Sequence, residues 1–403
     1  MKTIVSIALL FCAVLSWRWM NQSAEKKTAL SLCATCPPGF ELTEANECQL
    51  RTLYQQYESG KGDDAGVGGL KTALPKVRDG FTPQQIDLGR YLFFDPVLSK
   101  DGTVSCATCH NPDKGFSDGL KTSVGIKHTN LKRAAPSLWN VAFYKKFFWD
   151  ARATSLEDQM TGPLYSPDEM GTTRVQLFQT LNKIDSYQEL FQQAFPNKKP
   201  GKIELNDVYT AIAAFESSLI SLNSRYDQYA HGYHQALNQR EIDGLNIFRS
   251  FVARCAECHT PPLFTNQQVA VIGLAEPEGN PRDVGAEKTF HDSTLRAAFK
   301  VPTLRNADLT APYTHAGRFK TVREMIEFYT KGRGHEVQAN EHLRIHWHIW
   351  EPNLTSNEMD RLVDFIKTLT DESFKPRTPE QVPSGISINA SSSKKSLSLT
   401  QNH

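Results

Sequence analysis

The sequence has almost no charge imbalance: 45 lysines and arginines stand against 44 aspartates and glutamates. Without a basic excess it shows no nucleic-acid footprint. Long apolar runs are scarce too. The one present, Ile4 to Leu15 behind Lys2, is too short to span a bilayer. It reads as the core of an export signal over residues 1–24. No later segment has spanning length, so a mature chain in the periplasm, or otherwise exported, with no membrane span is expected. Repetition at a solenoid period is absent as well. Finally, Cys33-x-x-Cys36 lacks a following histidine, having Pro37 instead. With Cys48 it reads as a disulfide-stapled lead-in of an oxidising compartment. Three cysteines cannot all pair among themselves, so one is free or partners another chain.

What is present is concentrated in two pentapeptides, Cys106-Ala107-Thr108-Cys109-His110 and Cys255-Ala256-Glu257-Cys258-His259. Each is a Cys-x-x-Cys-His run, the attachment signature of c-type haem. Two thiols at that spacing form thioethers with the two vinyl groups of one porphyrin, and the adjacent imidazole ligates iron. A zinc site would need the four cysteines together, yet the motifs lie far apart and each brings its own histidine. The flanks repeat: Gly89-Arg90-Tyr91-Leu92-Phe93 and Gly244-Leu245-Asn246-Ile247-Phe248 precede the motifs, and Pro112 with Phe116, or Pro261 with Phe264, follow. Two covalently bound c-type haems are expected. The fold class is mainly α, with two cytochrome c-like domains carrying one haem each.

Helices are expected from Pro83, after Thr82 and up to Asp95-Pro96; over 203–230, with Val208, Ile212, Phe215, Leu219 and Leu222 on one face; over 241–252; and over 356–369. Glycines 60, 62, 66, 68 and 69 mark a linker that closes a lead-in over 25–69. The two domains then cover 70–235 and 236–375. The Ser-rich, apolar-poor stretch 376–403 reads as a disordered tail.

Residues 88–102 (Leu88-Gly89-Arg90-Tyr91-Leu92-Phe93-Phe94-Asp95-Pro96, then Leu98 to Gly102), together with Phe148-Trp149-Asp150-Ala151-Arg152, Ser155-Leu156-Glu157-Asp158-Gln159, Gly162-Pro163, Val301 to Asn306 and Leu309 to Tyr313, resemble the bacterial di-haem cytochrome c peroxidase and MauG family. The resemblance runs from about 70 to 372. It implies a peroxidatic haem on His110, with Glu169 as acid/base and Gln159 and Pro163 beside it. Trp149 becomes a bridge between haems. The haem on His259 takes a distal ligand that falls on Tyr329, with Met325 one helical turn earlier as the competing candidate. Arg305 and His315 become supporting, propionate-side residues. Calcium would use carbonyls at Thr310 and Pro312.

Three departures from the family pattern matter. Ile126 stands where some relatives close the first haem with a histidine, with His128 two residues on; an open sixth position follows. Ala134 stands for the calcium-binding asparagine, and Ala316 for the aspartate after His315. The leading expectation is therefore a peroxidase acting on hydrogen peroxide, with electrons from a small cytochrome c or cupredoxin. The alternatives are a MauG-like oxidase modifying Trp or Tyr of a partner protein, and a non-enzymatic di-haem electron carrier. A homodimer is left open. The cluster His346-Trp347-His348-Ile349-Trp350 admits a metal site or a surface hole-transfer patch, but an aromatic loop packed before the last helix is the preferred reading.

Overall fold

The computed structural model describes residues 30–51, 74–371 and 373–388; the signal, the glycine-rich linker and the end of the tail lie outside them. Among the described residues no helix is long and apolar enough to cross a membrane. The elements are β1 (Phe40–Leu42), β2 (Cys48–Leu50), α1 (Pro83–Phe94), α2 (Cys106–Cys109), α3 (Leu156–Tyr165), α4 (Arg174–Leu181), α5 (Asp185–Ala194), α6 (Leu205–Ser217), α7 (Arg225–Ala230), α8 (Gln239–Arg249), α9 (Cys255–Cys258), β3 (Val269–Val271), α10 (Glu287–Phe290), β4 (Ala298–Lys300), α11 (Val322–Lys331) and α12 (Ser356–Lys367). Sheet is confined to two antiparallel pairs, β1–β2 and β3–β4. The chain is mainly helical, as expected.

Helix starts follow local chemistry. Thr82 caps α1 by accepting from Gln85 N–H while the Gln85 side chain accepts from Thr82 N–H, and Pro83 occupies the first turn. The expected long helix over 203–230 is instead two, α6 and α7. Ser224 and Asp227 form a capping box that starts α7 afresh. In the gap, the Asn140 side chain takes both the N–H and the carbonyl of Ser221. Leu219 and Leu222 stay buried without a helix beneath them.

The sequence duplication is visible in the packing. Helix α1 crosses α6, and α8 crosses α12. At each crossing a glycine allows the backbones to touch: a Cβ on Gly89 would lie 1.8 Å from Ala211 O, and one on Gly244 would lie 2.0 Å from Arg361 O. A phenylalanine triad sits beside each. Phe93 packs 5.0 Å from Phe215 and 6.2 Å from Phe116; Phe248 packs 5.1 Å from Phe365 and 5.8 Å from Phe264. A further repeat escaped the sequence reading. Pro136-Ser137-Leu138-Trp139-Asn140 and Pro302-Thr303-Leu304-Arg305-Asn306 occupy matching places. Ser137 and Thr303 hydroxyls donate to Gly115 O and Leu263 O, and Asn140 and Asn306 N–H groups donate to Leu219 O and Leu369 O.

Two terminal expectations change. Cys36 and Cys48 form the disulfide and Cys33 is free and exposed. Yet this segment is no detached lead-in: Phe40, Cys48 and Leu50 pack with Ile86, Phe143 and Leu222. Nor is 376–388 loose. Val382 is buried, and Ser384 donates to the fully buried Asp95 of the α1 exit, whose other oxygen accepts from Tyr187. One carboxylate anchors both, a use of Asp95 that composition alone does not reveal.

Two candidate haem centres

Both Cys-x-x-Cys-His runs fold alike. The cysteines flank one helical turn, α2 or α9, and the histidine closes it by donating its N–H to the first cysteine's carbonyl. The His110 ring nitrogen Nδ1 lies 3.0 Å from Phe116 O. His259 Nδ1 lies 3.2 Å from Phe264 O and 3.1 Å from Pro302 O. Carbonyls accept only, so Nδ1 carries the proton and Nε2 presents its lone pair, the usual second-shell arrangement of a ligating histidine. Burial lowers the His110 pKa and takes that of His259 down to about 4, keeping both rings neutral. Burial also pushes the Cys109 and Cys255 thiols up to about 12, and Cys106 and Cys258 in the same direction. A redox Cys-x-x-Cys needs a lowered thiol pKa. These thiols are instead sheltered, as attachment points for a porphyrin would be.

Around the first motif the structure gathers part of the expected set. Glu169 lies within electrostatic reach of the Cys109 thiol, and Ser123 is that thiol's hydrogen-bonding neighbour. Glu169 is half-buried in the loop after α3. That loop is fixed by backbone bonds: Glu169 O accepts from Ile126 N–H at 2.8 Å, and Pro163 O accepts from Met170 N–H. Burial raises the Glu169 pKa, Arg152 opposes the rise, and Asp168 adds to it. Gln159 and Pro163 lie on α3, where Pro163 removes the helical donor that Gln159 O would have used. Ile126 is buried against Gly171, whereas His128, in the same turn, is exposed. His128 therefore does not substitute for the missing histidine here.

The second motif opens on a cavity of about 290 Å³ lined by Cys255, Cys258, His259, Met325, Tyr329 and Trp149, among others. Tyr329 lies within electrostatic reach of both thiols, and burial raises its phenol pKa. Only a cation placed beside it would draw off that proton. Trp149 donates its indole N–H to Ala134 O at 2.9 Å and meets the His315 ring edge-on at 6.4 Å. His315 stacks on Phe299 at 3.7 Å.

The fit to a porphyrin can be judged from the cavity's polar groups. Lys300 points its ammonium toward the Tyr144 ring at 5.0 Å, and burial brings its pKa down to about 8 with no acid to offset it. The Tyr144 hydroxyl and His315 Nε2 are buried without hydrogen bonds; Glu276 is 3.5 Å from the latter. Two unpartnered polar atoms and a buried cation in an apolar cavity suit an anionic edge such as a pair of propionates. Arg305 does not supply one. Its guanidinium is fully buried and spent on Asp227, at 2.7 and 2.6 Å, and on Pro262 O. Its anion is Asp227, so its hydrogen bonds lend no support to the propionate-side expectation for Arg305. Lys300 and Tyr144 were missed, although Lys300 immediately precedes the Val301–Asn306 motif.

The calcium expectation finds Thr310 and Pro312 on the cavity wall. The Ala134 that replaces the asparagine offers no side-chain oxygen, and its carbonyl is taken by Trp149. The aromatic cluster departs from the packed-loop reading: Trp347 is 72% exposed. Cys258, His346 and His348 bring donor atoms within 4.8 Å of one another. A metal held there by a thiolate would compete with thioether formation at Cys258.

Residues 83–235 match the sequence model of the di-haem cytochrome c peroxidase family. Cytochrome c551 peroxidase of Nitrosomonas europaea is 34% identical over 325 residues, covering 79% of this chain and 90% of that one. The methylamine utilization protein MauG of Methylorubrum extorquens is 38% identical over 253 residues, covering 62% and 70%. A crystal structure of a MauG-like protein associated with microbial copper homeostasis superposes with a TM-score of 0.70 at 30% identity, covering 77% of this chain and 98% of that one.

Proposed function

Since the chain belongs to the di-haem cytochrome c peroxidase family, we propose that it is an exported enzyme that reduces hydrogen peroxide to water at the Cys106–His110 centre, with electrons supplied through the Cys255–His259 centre. Bound at those thiols and imidazoles, haem supplies the electron storage and the redox chemistry of O–O cleavage. The observation that carries the reading is Glu169, a carboxyl whose pKa burial raises, held within reach of Cys109. Its work is proton transfer. Glu169 would take a proton from one oxygen of peroxide and return it to the departing oxygen. Two electrons and two protons then give two waters. The loop of Ile126 fixes the Glu169 carbonyl and offers no imidazole to that centre.

At the other centre His259 and Tyr329, with Met325 as the competitor, would hold the iron, and Lys300, Tyr144 and His315 would meet the propionates. Trp149 relays electrons between the two. The donor is a small redox protein; the cytochrome c551 in the name of one relative supports a cytochrome. Calcium, if bound, replaces the absent asparagine with water, which weakens it.

The test is Glu169→Gln. Peroxide-dependent oxidation of reduced cytochrome should fall by about 10²–10⁴ in kcat/KM while both Soret bands persist. In the wild type the acid limb of the pH profile should sit above an ordinary glutamate's, because the base works only once deprotonated. Unchanged turnover in the variant rejects the assignment. A second reading, a MauG-like oxidase acting on a partner protein, is favoured by the enclosed Tyr329 phenol.

A further inference from the structure

Beside the second motif the surface carries an unusual patch. Phe251 is 78% exposed and Trp347 72%. Such large aromatic side chains left open to solvent mark interaction sites. Arg254 stands in the middle. Its guanidinium lies 4.4 Å from the Phe251 ring, 5.0 Å from the Trp350 ring and 6.0 Å from the Trp347 ring. Among the described residues it makes no ion pair. Its backbone is left-handed, with φ 53°, one residue before Cys255. That conformation is costly for a non-glycine residue, yet it sets the side chain among the rings.

The patch is connected inward. The Trp347 ring centroid is 3.6 Å from that of His348. His348 lines the second cavity, and a nitrogen of its ring lies within 4.8 Å of Cys258 Sγ. Surface indole, imidazole and the sulfur of the attachment site thus follow one another at near-contact spacing. Electron tunnelling falls steeply with each gap, so such a series is a short way out of an otherwise insulating shell.

We propose that Trp347 is the surface terminus through which a small electron-donor cytochrome passes electrons, by way of His348, to the centre at Cys255–His259, with Phe251, Trp350 and Arg254 as the contact face. This rests on the reading that the second centre receives electrons. The contact face is a flat, open array around one uncompensated cation, and a cytochrome with an apolar haem edge rimmed by carboxylates is its complement. Each encounter transfers one electron: the donor iron is oxidised by one unit, the acceptor centre is reduced by one, and no bond or proton moves. Two encounters supply what one peroxide consumes.

The experiment mixes oxidised holoprotein with reduced cytochrome c551, anaerobically and without peroxide, in a stopped-flow instrument. Trp347→Ala should lower the second-order rate of reduction at least tenfold, Trp347→Phe less, and Arg254→Gln should flatten its dependence on ionic strength. Haem absorbance and reduction by dithionite check that each variant is folded and loaded. A wild-type rate in Trp347→Ala overturns the proposal, and so does failure of the wild type to accept electrons from the cytochrome. Light scattering that shows the variant breaking a dimer would assign the patch to a second copy of this chain and overturn it equally. Because no peroxide is used, loss of peroxide turnover with intact electron uptake counts against the catalytic reading alone.

Discussion

Glu216 shows how much a single side chain can set. It lies on α6, fully buried, and its Oε2 has no hydrogen-bond partner. Burial, with the neighbouring Glu157 adding to it, raises its pKa from 4.5 to about 8. In that interval the unfolded chain has released this proton and the folded chain has kept it. The unfolded state binds fewer protons, so stability falls as pH rises, by about 1.4 kcal/mol per pH unit for one proton. Glu216→Gln removes the linkage. Urea midpoints taken between pH 5 and 8 should decline for the wild type and stay nearly level for the variant; parallel declines would show that other groups govern this window. The sequence displays Glu216 as one of 44 acidic residues. Nothing in its neighbours says that it is sealed against the first motif.

Glycines at the two helix crossings set the limits of the elements. At α8–α12 a Cβ on Gly244 would collide with a backbone carbonyl, which cannot rotate aside as a side chain would. Gly244→Ala must push the helices apart and unseat Phe248 from Phe365. Overpacking of this kind costs about 1–3 kcal/mol, sometimes more. A fall in the thermal midpoint, together with incomplete haem attachment at Cys255 and Cys258, is the expected result; a wild-type midpoint would mean that the crossing yields more easily than its geometry implies. The flanking repeats that contain Gly89 and Gly244 were legible because each precedes its motif with the same Gly-x-x-x-Phe pattern. The partners on α6 and α12 were not, since which helix returns to cross them is a matter of long-range packing.

Across the whole molecule the two halves resemble each other in packing and differ in what faces their centres. The first has a half-buried carboxyl; the second has an enclosed phenol, a lysine and the Trp149–His315 pair. Arg133 joins them, reaching Asp150 at 2.8 Å and Asp283 at 2.7 Å. Tyr329→Phe decides which way the second centre works. If the phenol ligates, the ferric spectrum should lose a low-spin component, and the potential of that centre should rise, because an anionic ligand favours the oxidised metal. If Met325 ligates, Met325→Leu causes the loss and Tyr329→Phe leaves it intact. The first outcome fits shared oxidising equivalents and the MauG-like reading, the second a simple electron input.

The two Cys-x-x-Cys-His motifs were written in the sequence. Cys106, Cys109, His110, Cys255, Cys258 and His259 act at fixed local spacing, and so do the Thr82 cap and the order of family motifs, because one turn of backbone is enough to place them. Tertiary structure alone decided the rest. Arg305 turned to Asp227, Lys300 and Tyr144 turned into the cavity, Ile126 was buried while His128 was not, and Trp347 stayed in solvent. Those outcomes depend on which distant segments meet, and on whether a charge finds its partner when water is removed, neither of which local sequence encodes.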